Sequence, residues 1–176
     1  MNQLRDETQG GESGSTRVDR EEEWEQLRAT YLMDSGEREV STARGVHHVA
    51  LVSSDVERTI RFYQGVLGFP LTELFENRDF PGSTHFFFDI GHDNALAFFD
   101  FPGLGVGSYQ EVLGGLHHLA ISVQPEKWER LKARLDELGI DYAHIHGTSL
   151  YFRGPDGERL ELISDPLGEM YGSPVM

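Results

Sequence analysis

The stretch Gly45–Val52 reads GVHHVALV, and Gly115–Ser122 reads GLHHLAIS. Each copy sets a histidine pair before a short apolar run, and the segment after each copy also repeats. After the first, Asp55–Leu67 has the marks of a helix. Ser54 or Asp55 can cap it, Val56, Ile60, Tyr63 and Leu67 recur at helical spacing, and Gly68 stops it. Strand-like runs follow at Pro70–Phe75, Thr84–Ile90 and Ala95–Phe101, the last two joined by the turn Gly91–Asn94. After the second copy, itself a strand over Leu116–Val123, comes a helix over Pro125–Leu138. It has proline in its first turn and Gly139 as its stop. Strands near Asp141–His146, Ser149–Phe152 and Arg159–Ser164 complete it, with GPDG as a tight turn between the last two. The chain is β-α-β-β-β written twice. The expected fold class is α+β, with two tandem modules (45–105 and 113–166) forming curved mixed sheets around a cleft. Each module leaves an open sheet edge that the other can cover. The glycine-rich passage between them has no strand feeding a helix at phosphate-loop spacing, so it reads as a linker.

Residues 1–44 lie outside the repeat. The first 17 are polar with hardly any apolar residues and read as disordered. Residues 20–33 read as a helix, with glutamates crowding its first turn and Trp24, Leu27 and Tyr31 near one face. A solvated tail with a transient helix is preferred to a docking arm. The domain proper runs over 45–170. There are no cysteines, no run of apolar residues long enough to span a membrane, and no apolar segment in the first residues. A cytoplasmic protein is expected. The formal net charge of −15 repels phosphate backbones and anionic lipid. Nucleic acid and membranes are therefore excluded as partners. A small-molecule substrate is expected, and a homodimer, with the two modules pairing either within one chain or between two.

Side chains alternate faces along a strand. His48, Ala50 and Val52 fall on one face, and His47, Val49 and Leu51 on the other. Two equivalent strands related by a pseudo-twofold would bring together His48 and His118, or His47 and His117. Converging imidazoles suit a divalent metal. A third ligand is offered by Glu161, a carboxylate between Leu160 and Leu162 in the last strand, where it is costly unless something charged meets it. Spacing alone leaves ordinary packing open as well, because single histidines and glutamates in strands are common without a metal.

The segment HHVALVSSDVERTIRFYQGVLGF resembles the opening of a vicinal-oxygen-chelate module, the glyoxalase, bleomycin-resistance and extradiol-dioxygenase group, and the likeness continues to Pro166. This resemblance implies that His48, His118 and Glu161 are the metal ligands. Four-ligand members such as glyoxalase I add a carboxylate in the last strand of the first module. Here ALAFFDF places Ala97 and Phe98 there, so the likeness is to three-ligand members, whose facial triad suits Fe(II), with Mn(II), Zn(II) or Ni(II) as alternatives.

His144 through Glu161 is close to the signature of extradiol ring-cleaving dioxygenases such as catechol 2,3-dioxygenase. It implies a role near the metal for His144 and substrate contact for Tyr151. Gly154 replaces the usual acidic or small polar residue before the proline. Ring-cleaving members carry an acid–base histidine just before the strand that here reads ALAF. In this chain Asp93 and Asn94 stand there, His92 is the nearest imidazole, and His85 is a less favoured stand-in. Phe86, Phe88, Phe98 and Tyr109 are expected to wall the pocket. The function implied is that of a metal-dependent oxidoreductase cleaving a small vicinal diol such as a catechol. The alternatives are a glyoxalase- or epimerase-type lyase or isomerase, and a non-enzymatic antibiotic-binding module.

Overall fold

The computed structural model describes residues 19–170 and 172–175; the tail expectation for residues 1–17 lies outside them. The chain divides between Arg44 and Gly45 into two units. In the first, helix α1 spans Glu21–Tyr31, with Glu21, Glu22 and Glu23 in its opening turn. It carries its own ion pairs, Arg20 with Glu23 and Arg28 with Glu21. Among the described residues no helix is long and apolar enough to cross a membrane.

The second unit holds the repeat. The first module runs β1 (His48–Val52), α2 (Val56–Ile60, continued by π-type turns over Arg61–Val66), β2 (Leu71–Glu76), β3 (Thr84–Asp89) and β4 (Ala95–Phe99). The second runs β5 (Leu119–Ser122), α3 (Pro125–Glu137), β6 (Tyr142–Ile145), β7 (Ser149–Arg153) and β8 (Arg159–Ile163). A short hairpin, β9 (Glu169–Met170) and β10 (Ser173–Pro174), closes the unit. Asp55 caps α2 by accepting a hydrogen bond from the Arg58 amide (2.9 Å). Gly68 and Gly139 come after their helices at φ of 73° and 64°, the left-handed conformation that ends a helix cheaply only at glycine.

Both modules form a four-stranded mixed sheet with one topology: β1-β4-β3-β2 and β5-β8-β7-β6. In each, the module's first strand, which starts at or just after the histidine pair, sits at a sheet edge and runs parallel to the module's last strand. The two registers can be superposed. Ala50 faces Ala97, which faces Phe87; Ala120 faces Glu161, which faces Tyr151. Ala97 is therefore the first-module counterpart of Glu161, and Phe87 that of Tyr151.

One face of each sheet enters a shared core. Phe86, Phe88, Leu96 and Phe98 from the first sheet join Leu150, Phe152, Leu160 and Leu162 from the second, with Tyr63, Trp128 and Leu135 from the helices. Burying one such side chain fully contributes roughly 1.5–3 kcal/mol. Phe86, Phe88 and Phe98 are thus core residues, 0–1% exposed, and the expectation that they wall a pocket is wrong. Their odd-numbered neighbours occupy the other face.

Polar contacts also lock the modules together. The Tyr63 hydroxyl donates to Glu158 (2.7 Å) inside the core. Asp156, on the turn between β7 and β8, accepts from the Ser54 amide (3.1 Å) and pairs with Arg58 (2.6 Å). The glycine at 154 is explained here: a Cβ on it would lie 2.0 Å from a Glu158 carboxylate oxygen.

Candidate metal centre

Glu161 sits in β8 between two partner strands and is 3% exposed. Its neighbour across the parallel pair is Ala120, which leaves room on that face. The ring of His118, two residues earlier, fills this room and brings Nε2 to 3.1 Å from Glu161 Oε2. A buried carboxylate is costly without such a partner. The separation also fits metal binding: two ligand atoms each about 2.1 Å from one ion, at right angles about it, lie roughly 3 Å apart. An imidazole and a carboxylate are suitable donors for a hard or borderline divalent cation. Tyr151 borders the pair, its ring centroid 5.5 Å from that of His118. The Arg159 guanidinium lies 5.0 Å from the centre of the Tyr151 ring.

His48 stands apart from this pair. Its ring lies 6.3 Å from Phe87 and edge-on to His47. Among the described residues no three His, Asp or Glu side chains converge to hold a metal ion. One chain thus brings together His118, Glu161 and Tyr151, but not His48.

The histidine pairs depart from strict alternation. His47 Nδ1 lies 2.8 Å from His48 Nδ1, and His117 Nδ1 lies 2.7 Å from His118 Nδ1. The expectation that each pair points to opposite faces is corrected: β1 begins only at His48 and β5 only at Leu119, so the pleat does not yet separate the two rings.

His92 lies exposed in the β3–β4 turn at φ 53°. Asn94 closes that turn, its side-chain amide donating to the carbonyls of Gly91 (3.2 Å) and His92 (2.9 Å). His144 pairs across the sheet with Leu150, a core residue, and its ring lies 5.4 Å from Trp128 of α3. It belongs to the helix-covered face, opposite Tyr151, so the two do not flank one bound group within this chain. Tyr109 braces the linker, its hydroxyl within reach of the Leu116 and His117 carbonyls. It does line a cavity, of about 1040 Å³, together with Ala50, Val52, Phe101 and Pro155.

His85 is the residue that sequence reasoning undervalued. Its ring stacks on Phe99 (3.8 Å between centroids) and packs against Phe87 (4.2 Å) and Phe75 (5.3 Å). Its Nε2 is buried without a hydrogen-bond partner. Burial, then electrostatic interaction with His48 and Arg78, holds its pKa below the ordinary histidine value, so the neutral ring is favoured. Its odd-numbered aromatic neighbours form the first-module face that is equivalent, by register, to the Glu161 face of the second. The signal was available as parity: residue 85 shares a face with 87, not with 86.

A family described as the Glyoxalase/Bleomycin resistance protein/Dioxygenase superfamily matches residues 45–162. MhqA of Bacillus subtilis (strain 168), whose name assigns it provisionally to the ring-cleaving dioxygenases, is 27% identical over 139 residues, covering 74% of this chain and 43% of MhqA. The glutathione transferase FosA of Serratia marcescens is 26% identical over 122 residues, covering 68% of this chain and 79% of FosA. The crystal structure of the fosfomycin resistance protein FosX from Mesorhizobium loti aligns with a TM-score of 0.53 at 27% identity, covering 72% of this chain and 95% of that one. The chain thus spans less than half the length of its ring-cleaving relative and nearly all of the FosX structure.

Proposed function

Because the chain belongs to the glyoxalase/bleomycin resistance protein/dioxygenase superfamily, we propose that it is a metal-dependent enzyme whose substrate chelates the ion through neighbouring oxygens, and that ring cleavage of a catechol is the reaction its site supports best. His118 and Glu161 of one copy and His48 of a second copy would hold the ion. The observation that carries this reading is the buried His118–Glu161 pair at 3.1 Å, set against Ala97 at the equivalent place in the first module. That donor set has three ligands, not four, and a two-histidine, one-carboxylate set suits Fe(II), with Mn(II), Zn(II) and Ni(II) as alternatives. A homodimer is supported by β1 and β5 each lying at a sheet edge with one side unpaired. When bound, the ion supplies Lewis acidity and open positions for a chelating diol. The chain's own residues do the rest. Tyr151 borders the ligand pair, and Arg159 lies against its ring. Phe75, Phe87 and Phe99 give a planar apolar face for a ring, and His85 offers that face a neutral nitrogen.

The test is anaerobic loading with Fe(II), followed by oxygen uptake against a panel of catechols. Uptake matched by loss of catechol is the expected result; an iron-loaded protein that consumes no oxygen with any of them sinks the ring-cleaving reading.

A second reading, opening of an epoxide such as that of fosfomycin, is favoured by length, since the chain covers 95% of the FosX structure. A phosphonate dianion calls for cations. Beside Glu161 the structure provides Arg159, in a protein of net charge −15. Loss of fosfomycin from the Mn(II)-loaded protein, with or without glutathione, would move this reading to first place.

A further inference from the structure

Each histidine assigned to the metal has the histidine before it as a hydrogen-bond partner, and the contact is built alike in both modules. The Nδ1–Nδ1 distances are 2.8 Å for His47–His48 and 2.7 Å for His117–His118. The ring centroids are 5.1 and 5.0 Å apart, with the planes at 76° and 75°. A bond between two Nδ1 atoms needs one donor and one acceptor. If the ligand histidine donates, its Nε2 keeps a lone pair; in His118 that atom faces Glu161 at 3.1 Å, so this tautomer needs a cation between the two in place of the N–H that pairs them without one.

We propose that His47 and His117 are positioning residues. Each accepts the Nδ1–H of the following histidine, which fixes that ring's orientation and makes Nε2 its metal-binding atom. The proposal rests on the metal centre put forward above. In the second module the chain of contacts extends further. Arg159 Nη1 lies 3.5 Å and Glu111 Oε2 4.0 Å from His117 Nε2. A neutral His117 that accepts at Nδ1 carries its proton on Nε2, toward the Glu111 carboxylate, which at 4.0 Å is an electrostatic neighbour and not a hydrogen-bond partner; the Arg159 guanidinium, which can only donate, favours the other tautomer while no metal is bound. Arg159, 3.8 Å from Glu111, keeps that carboxylate in place.

Partners behind a metal-bound histidine typically set metal affinity by 10–100-fold. Zinc, diamagnetic and bound by imidazole and carboxylate alike, serves as the probe. Its affinity for the full chain is measured at neutral pH by competition with a chromophoric chelator, for wild type, His117→Phe and His117→Asn. The His117 side chain is 63% exposed, so folding should survive, as circular dichroism would verify. His117→Phe is expected to bind zinc 10–100-fold more weakly, and His117→Asn, whose side-chain oxygen can accept the bond, to recover most of the loss. Imidazole nitrogen NMR of the zinc-loaded wild type should show His118 protonated at Nδ1 and metallated at Nε2. Equal zinc affinity in wild type and His117→Phe, or zinc on His118 Nδ1, overturns the proposal. Should the phenylalanine variant unfold, His117→Leu against His117→Asn is judged by the same criterion. A wild type that binds no zinc overturns the metal centre itself, and this proposal with it.

Discussion

At the scale of single residues the site combines a satisfied charge with an unsatisfied polar group. Glu161 is buried against His118, whereas His85 buries Nε2 with no partner. An unpaired buried polar group costs about 1–3 kcal/mol. His85→Phe should therefore leave stability unchanged or raise it by about 1 kcal/mol, as measured by denaturant unfolding. The sign of its pH effect comes from its depressed pKa. The folded state holds the neutral ring, so stability falls as pH drops below the ordinary histidine value, and that slope should be absent in His85→Phe. If His85 only packs, the substitution leaves catechol binding intact; a stabilised variant with weakened binding would mark His85 as a residue kept for its ligand. Glu161→Gln removes a charged ligand from the proposed centre. Elemental analysis should find metal retention greatly reduced, whereas full occupancy would place the metal elsewhere.

At the scale of elements, most of the architecture was legible, because the repeat is written in the helix stops and strand starts. Asp55, Gly68, Pro125 and Gly139 mark the boundaries that the structure shows. Three things were not legible. Phe86, Phe87 and Phe88 are one unbroken apolar run, so composition gives no sign of which parity faces the core. The histidine pairs sit at strand starts, where a shift of one or two residues decides whether alternation applies. Glu158 reads as an ordinary turn-flanking charge, yet it fills the space over Gly154 and accepts from Tyr63. Burial raises its carboxyl above the ordinary glutamate value, opposed in part by the Tyr63 hydrogen bond. Because the folded-state pKa is the higher one, the stabilisation is complete below the unfolded value and is lost as pH rises through the folded one. Chemical denaturation as pH rises above the ordinary glutamate value should show that slope, and Glu158→Gln should flatten it. Tyr63→Phe leaves the carboxylate with one donor fewer and should cost about 1–3 kcal/mol. A smaller loss would mean that this lock contributes little to holding the modules together.

At the scale of the whole molecule, the repeat makes two edges alike, and neither the repeat nor its register says which edge meets which. Within one chain His48 does not join His118 and Glu161, and β1 and β5 each keep an open side. The proposed twofold pair of chains would resolve this, because an isologous contact can give each site His48 from one copy and His118 with Glu161 from the other. Complementation tests the arrangement directly. His48→Ala and Glu161→Ala should each lose metal when purified alone. When the two are unfolded together and refolded as a mixture, half the dimers are mixed, and each mixed dimer has one intact site and one doubly broken site. Metal binding should then return to about a quarter of the wild-type sites, read by zinc titration on material of dimer mass. A site made within one chain cannot be rescued this way, since no single copy in the mixture carries both His48 and Glu161. Zero recovery in a sample shown to contain mixed dimers would therefore return the site to a single chain and require the two modules to move relative to the arrangement seen here. Recovery near a quarter would make the dimer the smallest metal-binding unit.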